Sequence, residues 1–244
     1  MNYYLKNIFL VIFALQGLIV SSQVINAGVG GNNTAQLLER VEKDVLSEQP
    51  DLVIMMVGTN DMINRNKMLS YAEYEHNYRA LVKQFKSDGV ELLVMSSIPV
   101  DSAYVFKRHP RTLFPTDEPN QKMCKAHDMV AQIAQDNSLY YIDLFSAFTA
   151  LGLPQHNKDV FIRNPKNCGV EDGVHPTPLG YHLIATYVFQ YLKERQLIAP
   201  NMKIVCFGDS ITQGQGAKGK GGVTGETYPA VLSSMLKTYY SKIN

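Results

Sequence analysis

This chain has little net charge, few cysteines and no hydrophobic run long enough to cross a bilayer. Its formal net charge is +1 over 244 residues, so nothing in the balance calls for a phosphate-rich partner. The concentrated basic face expected of a nucleic-acid binder is missing, and Lys218 and Lys220, set among glycines, read as part of a solvated loop. The three cysteines include no Cys-x-x-Cys pair and the six histidines fall into no usual metal-ligand spacing, so neither a metal nor a cofactor is expected. Cys206 lies in an apolar segment and reads as a buried free thiol, whereas a bridge between Cys124 and Cys168 is left open. No repeat, low-complexity tract or interdomain linker breaks the chain. With 45% hydrophobic and 18% charged residues, it suits one globular domain.

The most apolar run is Ile8 to Val20, interrupted only by Gln16 and Gly17 and preceded by Lys6. It is shorter than the roughly 20 residues of a membrane crossing, but it matches the roughly 7–15 of a secretory h-region. Val20-Ser21-Ser22 offers small residues for cleavage. Residues 1–22 therefore read as a signal peptide and 23–244 as a single exported domain, secreted or periplasmic. A retained N-terminal anchor and a buried element of the fold are the competing readings.

Along the rest of the chain, short apolar runs alternate with helical patterns. The runs are Val24-Ile25, Leu52 to Val57, Leu92 to Ile98, Leu139 to Ile142 and Ile204 to Phe207, which read as buried parallel strands. Between them, Leu37/Val41/Val45, Tyr71/Tyr74/Tyr78/Phe85 and Met123/Ala126/Val130/Ile133 recur at helical spacing. Thr177-Pro178 opens a further helix, with Thr as cap and Pro at the first helical position, and a last helix runs from Tyr228 through Tyr239. This alternation predicts a parallel sheet covered on both faces, with its ligand crevice at the carboxyl ends of the strands. Two stretches, Pro99 to Pro119 and Gly152 to Val170, read as irregular loops that shape the pocket.

Four motifs carry chemistry. Gly208-Asp-Ser-Ile-Thr-Gln-Gly214 follows the last strand, Asn26-Ala-Gly-Val-Gly-Gly31 ends the first, Gly58-Thr-Asn-Asp61 ends the second, and Asp172-Gly-Val-His175 precedes the Thr177 helix. Together they resemble the sequence blocks of the SGNH (GDSL-type) hydrolases, with the Gly-Asp-Ser block moved from the start of the chain to near its end. One circular permutation accounts for that order. The resemblance implies a three-layer α/β/α, flavodoxin-like SGNH hydrolase fold with a central parallel sheet of about five strands, circularly permuted. Joining residue 244 to residue 24 would restore the family's order, so the two ends of the domain are expected to lie close together.

The resemblance also implies a serine esterase. A serine hydroxyl needs a base to take its proton, and ester cleavage needs donors aimed at the developing oxyanion. Ser210 would attack the ester carbonyl, His175 would serve as base and then acid, and Asp172 would orient the imidazole. The backbone N–H groups of Ser210 and Gly31 and the amide of Asn60 would form the oxyanion hole. Asp61 and Asp209 are expected to be structural. Ile211 stands where the family's name-giving motif has Leu, a change that leaves the serine in place.

The substrate implied is a small-molecule or polysaccharide ester, most simply an acetyl or other short acyl group on a carbohydrate. Two alternatives stand beside it: a lipid esterase of lysophospholipase type, and a non-catalytic carbohydrate-binding relic of the fold. A dinucleotide- or P-loop-like match at Gly214 to Lys220 is set aside. Its glycines begin several residues after the strand ends, and Gly221 occupies the Ser/Thr position of the P-loop.

Overall fold

The structure is a computed structural model and describes residues 22–243. The signal-peptide reading falls on residues outside this range, apart from Ser22. The elements alternate as the apolar runs predict: β1 (Gln23–Gly28), α1 (Thr34–Asp44), β2 (Leu52–Met56), α2 (Thr59–Ile63), α3 (Tyr71–Ser87), β3 (Glu91–Met95), α4 (Ser102–Arg108), α5 (Pro119–Asn137), β4 (Tyr140–Ile142), α6 (Leu144–Ala150), α7 (Pro165–Cys168), α8 (Pro178–Glu194), β5 (Lys203–Gly208), α9 (Ser210–Gln213) and α10 (Tyr228–Ile243). The strands form one sheet in the order β1-β5-β2-β3-β4, every pair parallel. The last strand in sequence is thus inserted between the first two, with Val205 opposite both Ile25 and Val53.

Side-chain alternation along each strand builds two cores. Val53, Met55, Val205 and Phe207 pack with Leu37, Tyr78, Phe85 and Val130 from α1, α3 and α5 on one face. Ile54, Met56, Ile204 and Cys206 pack with Tyr181, Ile184, Leu232 and Leu236 from α8 and α10 on the other. A sheet buried on both faces reads as continuous apolar runs, which is why these strands show no polar alternation. Each such Val, Leu, Ile or Phe, fully buried, stabilises the fold by roughly 1.5–3 kcal/mol.

Caps fix where the helices begin. Asn33 and Gln36 form a capping box on α1, Ser70 and Glu73 another on α3, and the Thr177 hydroxyl accepts from Gly180 N at the start of α8, as Thr-Pro predicts. The two stretches read as irregular contain more order than proline and histidine content indicates. Asp101 caps α4, accepting from Ala103 N, and Asn164 caps α7 with Pro165 in its first turn. Local side-chain caps stabilise helices too short to show a periodic stripe. Cys124, Cys168 and Cys206 are all free thiols, so the bridge left open between the first two is not formed, and Cys206 is buried as expected.

The two ends of the described chain meet. The Ser22 hydroxyl lies 3.0 Å from the hydroxyl of Tyr240 on α10, and Tyr240 also donates to the Ala199 carbonyl. No helix among the described residues is long and apolar enough to cross a membrane.

Candidate active site

The crevice at the carboxyl ends of β1, β5 and β2 gathers the four motifs. Two glycines make that edge possible. A Cβ on Gly28 would lie 2.1 Å from Gln213 N, and one on Gly208 would lie 2.3 Å from the Met56 carbonyl oxygen, so α9 and the strand ends approach more closely than any side chain permits.

Ser210 is the first residue of α9, placed by the Asp209 cap, whose carboxylate accepts from Ile211 N at 2.9 Å. Its hydroxyl stands 3.0 Å from His175 Nε2. On the other side of the imidazole, Nδ1 lies 2.9 and 3.0 Å from the two oxygens of Asp172. The backbone N–H groups of Val174 and His175 also donate to Asp172, at 3.0 and 2.9 Å. These contacts give Nδ1 the proton and leave Nε2 free to accept one from Ser210. Burial pushes the Asp172 carboxyl up, but the hydrogen bond and charge of His175 and the two N–H donors outweigh it and hold the group at about 2.

Asn60, on α2, completes the near side. Its amide nitrogen donates to the Asn32 carbonyl at 2.9 Å, its oxygen accepts from Asn64 at 2.9 Å, and Asp209 Oδ2 lies 3.4 Å from the nitrogen. These partners fix which way the amide points. Gly31 lies next to Asn32 in the turn after β1, and neither its N–H nor that of Ser210 has an acceptor among the described residues. Thr59, Asn60, Ile63, Asn64, Arg108, His109, Val174, His175 and Ser210 line one cavity of about 190 Å³. Asp172 sits behind His175, and Gly31 is not among the lining residues. A larger groove of about 630 Å³ between α8 and α10, lined by Phe189, Val231, Met235 and Tyr239, contains none of the motif residues.

Asp61 and Asp209 are buried beneath the site. Desolvation raises each to about 6, opposed for Asp61 by donation from Thr34 and for Asp209 by the Ile211 N–H and the charge of His175. Both hold turns in place, as the sequence leads one to expect.

Two arginines escaped the sequence reading. Arg40 on α1 donates to the Ala27 and Gly208 carbonyls at 2.9 and 2.8 Å and to Asn32 Oδ1 at 2.7 Å, and stacks over Phe207 at 4.5 Å. It ties together the ends of β1 and β5 and the turn carrying Gly31. Arg163 donates to the Gly216 carbonyl at 2.8 Å and has Nε 3.5 Å from Asp172 Oδ2. Of the two stretches expected to shape the pocket, the first supplies Arg108 and His109 to its lining, whereas the second reaches the site only through Arg163 behind Asp172.

Spacing also failed to flag a grouping on α5. Ligand-capable atoms of Cys124, His127 and Asp128 lie within 4.8 Å of one another there, outside the cavity lining, and His127 is hydrogen-bonded to Asp128 and Asp143 at 3.0 Å each.

Sheet and helices form a layered parallel α/β architecture of the SGNH hydrolase kind, with a hydrogen-bonded Ser, His and Asp at the carboxyl edge of the sheet. The chain belongs to the GDSL-like lipase/acylhydrolase family, whose profile matches residues 14–183 and so spans Gly31, Asn60, Asp172 and His175. It is 25% identical to an acetylxylan esterase of Geobacillus stearothermophilus over 67% of this chain and 68% of that protein. It is 29% identical to the GDSL esterase/lipase CPRD49 of Arabidopsis thaliana over 72% of this chain and 68% of the relative. A lipase/acylhydrolase of Enterococcus faecalis shares the fold, with a TM-score of 0.53 at 23% identity over 68% of this chain and 72% of that one.

Proposed function

We propose that this protein is a serine esterase that cleaves short acyl groups, above all acetyl, from a carbohydrate through an acyl-serine intermediate. The observation that carries the reading is the continuous relay Ser210 Oγ, His175 Nε2, His175 Nδ1, Asp172, with every step between 2.9 and 3.0 Å. In this mechanism His175 accepts the Ser210 proton as Oγ attacks the ester carbonyl, and the imidazolium formed is stabilised by Asp172. Collapse of the tetrahedral intermediate passes that proton to the departing alcohol, and water then releases the acid by the same route in reverse. The Ser210 and Gly31 N–H groups, which lack acceptors among the described residues, and the oriented Asn60 amide are the oxyanion donors.

The acetyl preference rests on the small cavity and on the acetylxylan esterase relative. A pocket of about 190 Å³ is below the usual 300–1,000 Å³ of sites for larger ligands, which disfavours a fatty acyl chain. Retention of every residue that the reaction needs speaks against a binding relic.

A circular permutation of a single domain over residues 23–244 belongs to the same reading. Counting β5 first turns the observed order into 2-1-3-4-5, that of flavodoxin-like sheets. Export, with residues 1–22 as the signal, is likewise part of the proposal.

A fluorophosphonate probe tests the nucleophile. Mass spectrometry should find one adduct, on Ser210, absent from Ser210→Ala and slow to form in His175→Ala. An adduct elsewhere, or equal labelling of both variants, contradicts the assignment.

A further inference from the structure

We propose that the cavity in front of Ser210 selects esters whose alcohol portion is anionic, Arg108 binding a carboxylate on the acylated sugar. This rests on the esterase reading and names the substrate class of the same site.

The cavity lining contains Arg108 and two histidines, His109 and His175, and no acidic residue. The nearest carboxylate to Arg108 is Asp172, at 3.9 Å from its NH1. That carboxylate is already occupied: it receives His175 Nδ1 and the Val174 and His175 N–H groups, with Arg163 Nε at 3.5 Å. Arg108 therefore adds only a distant second guanidinium to a filled acceptor. Its side chain, 37% exposed, lines the cavity, and its guanidinium makes no hydrogen bond among the described residues, so the planar fork of donors is unspent.

Neighbouring cations contrast with this. Lys107 is paired with Glu171 at 2.5 Å and Arg111 with Glu118 at 3.3 Å. A guanidinium left over at a catalytic mouth, matched to bidentate carboxylate geometry, is a recognition group.

The surroundings reinforce the positive field. Burial, followed by the charges of Arg108 and Arg65, lowers the pKa of His109, which places both guanidiniums close enough to act on one imidazole at the cavity wall. His109 Nδ1 and the hydroxyl of Thr59, itself only 4% exposed, have no partner among the described residues. Both residues line the cavity, and neither brings a negative charge to it. Its small volume limits the ligand to a short acyl group and little more, so the anion must sit close to the ester, within the same sugar unit.

The test compares kcat/KM on acetylated methyl galacturonoside and acetylated methyl galactoside, which differ only in a carboxylate at C6, using the full chain, Arg108→Gln and Arg108→Lys. Wild type should prefer the acidic sugar by about tenfold or more at low salt, the scale of one charged hydrogen bond. Arg108→Gln should bring the ratio near one, chiefly through KM, with Arg108→Lys in between. An acetyl ester of glycerol phosphate, run in parallel, separates a phosphate source from a carboxylate source, and a preference for it over the uronoside overturns the assignment. A wild-type ratio near one, or equal losses on both sugars in Arg108→Gln, also overturns it, the latter because Arg108 would then serve Asp172 alone. If p-nitrophenyl acetate is cleaved but neither sugar is, the substrate class fails while the esterase reading stands. Inactivity on all of them defeats both.

Discussion

His175 Nε2 stands 3.0 Å from Ser210 Oγ although 35 positions separate the two residues. One comes from the loop before α8 and the other from the turn after β5, and the β5 strand reaches the crevice only by inserting between β1 and β2. The relay therefore depends on the topology as a whole.

Removing either end of that relay should abolish turnover without unfolding the chain. Ser210→Ala and His175→Ala are expected to lower kcat on the order of 10⁵–10⁶-fold, and Asp172→Ala about 10⁴-fold. Far-UV circular dichroism of the Ser210 and His175 variants should match wild type. A variant retaining a tenth of the rate would remove its residue from the mechanism.

Asn60→Ala should cost 10²–10³-fold in kcat, about 2.7–4 kcal/mol of transition-state stabilisation, with KM little changed. Asn60 donates to Asn32 O in the resting structure, so loss of structure must be checked separately. A rise in KM at constant kcat would mean that the amide binds substrate and transition state alike.

Stability should depend on pH in a defined direction. Asp61 and Asp209 are raised by burial to about 6, against about 3.9 in an unfolded chain. Their contribution is complete below about pH 4 and is lost as pH rises through about 6. Asp172, held at about 2, acts the opposite way: its contribution is present above about pH 4 and lost as pH falls through about 2. From these three groups, melting temperature should peak near pH 4, fall as pH rises from about 4 to about 6, and level off above that. Asp61→Asn cannot ionise and should shrink that fall by about half, and an unaltered slope would show that Asp61 does not titrate as described.

Arg40→Met keeps an unbranched side chain but removes the guanidinium that lies over Phe207 and donates to Ala27, Gly208 and Asn32. Losing these charged hydrogen bonds should destabilise the fold by on the order of 3 kcal/mol. Because the turn bearing Gly31 loses its anchor, kcat should fall as well. Full activity with a lowered melting temperature would confine Arg40 to a structural role.

Reversing the proposed permutation offers a test of topology. A chain opened between Gln196 and Met202, with residue 244 joined to residue 23 by a short linker, should fold with a similar melting temperature and cleave the same esters. Failure to fold, with the linker varied, would count against a former connection between β1 and α10.

Much of this was legible in the sequence. The five apolar runs became the five strands within a few residues, because strands buried on both faces need continuous apolar sequence. The Ser210, His175, Asp172 and Asn60 cluster was also legible, since each lies in a distinctive motif at a strand end or cap. Arg40 and Arg163 were not: an arginine's role depends on which carbonyls and carboxylates reach it in space, and local spacing does not encode that. Short α4 and α7 were missed for a related reason, because a single capping side chain stabilises each in place of an apolar stripe.

The most direct measurement is hydrolysis of p-nitrophenyl acetate, butyrate and octanoate by the full chain beside Ser210→Ala. The account predicts kcat/KM falling from acetate to octanoate and vanishing in the variant. Rates in Ser210→Ala equal to wild type would contradict the serine mechanism, and a preference for octanoate would contradict the short-acyl pocket.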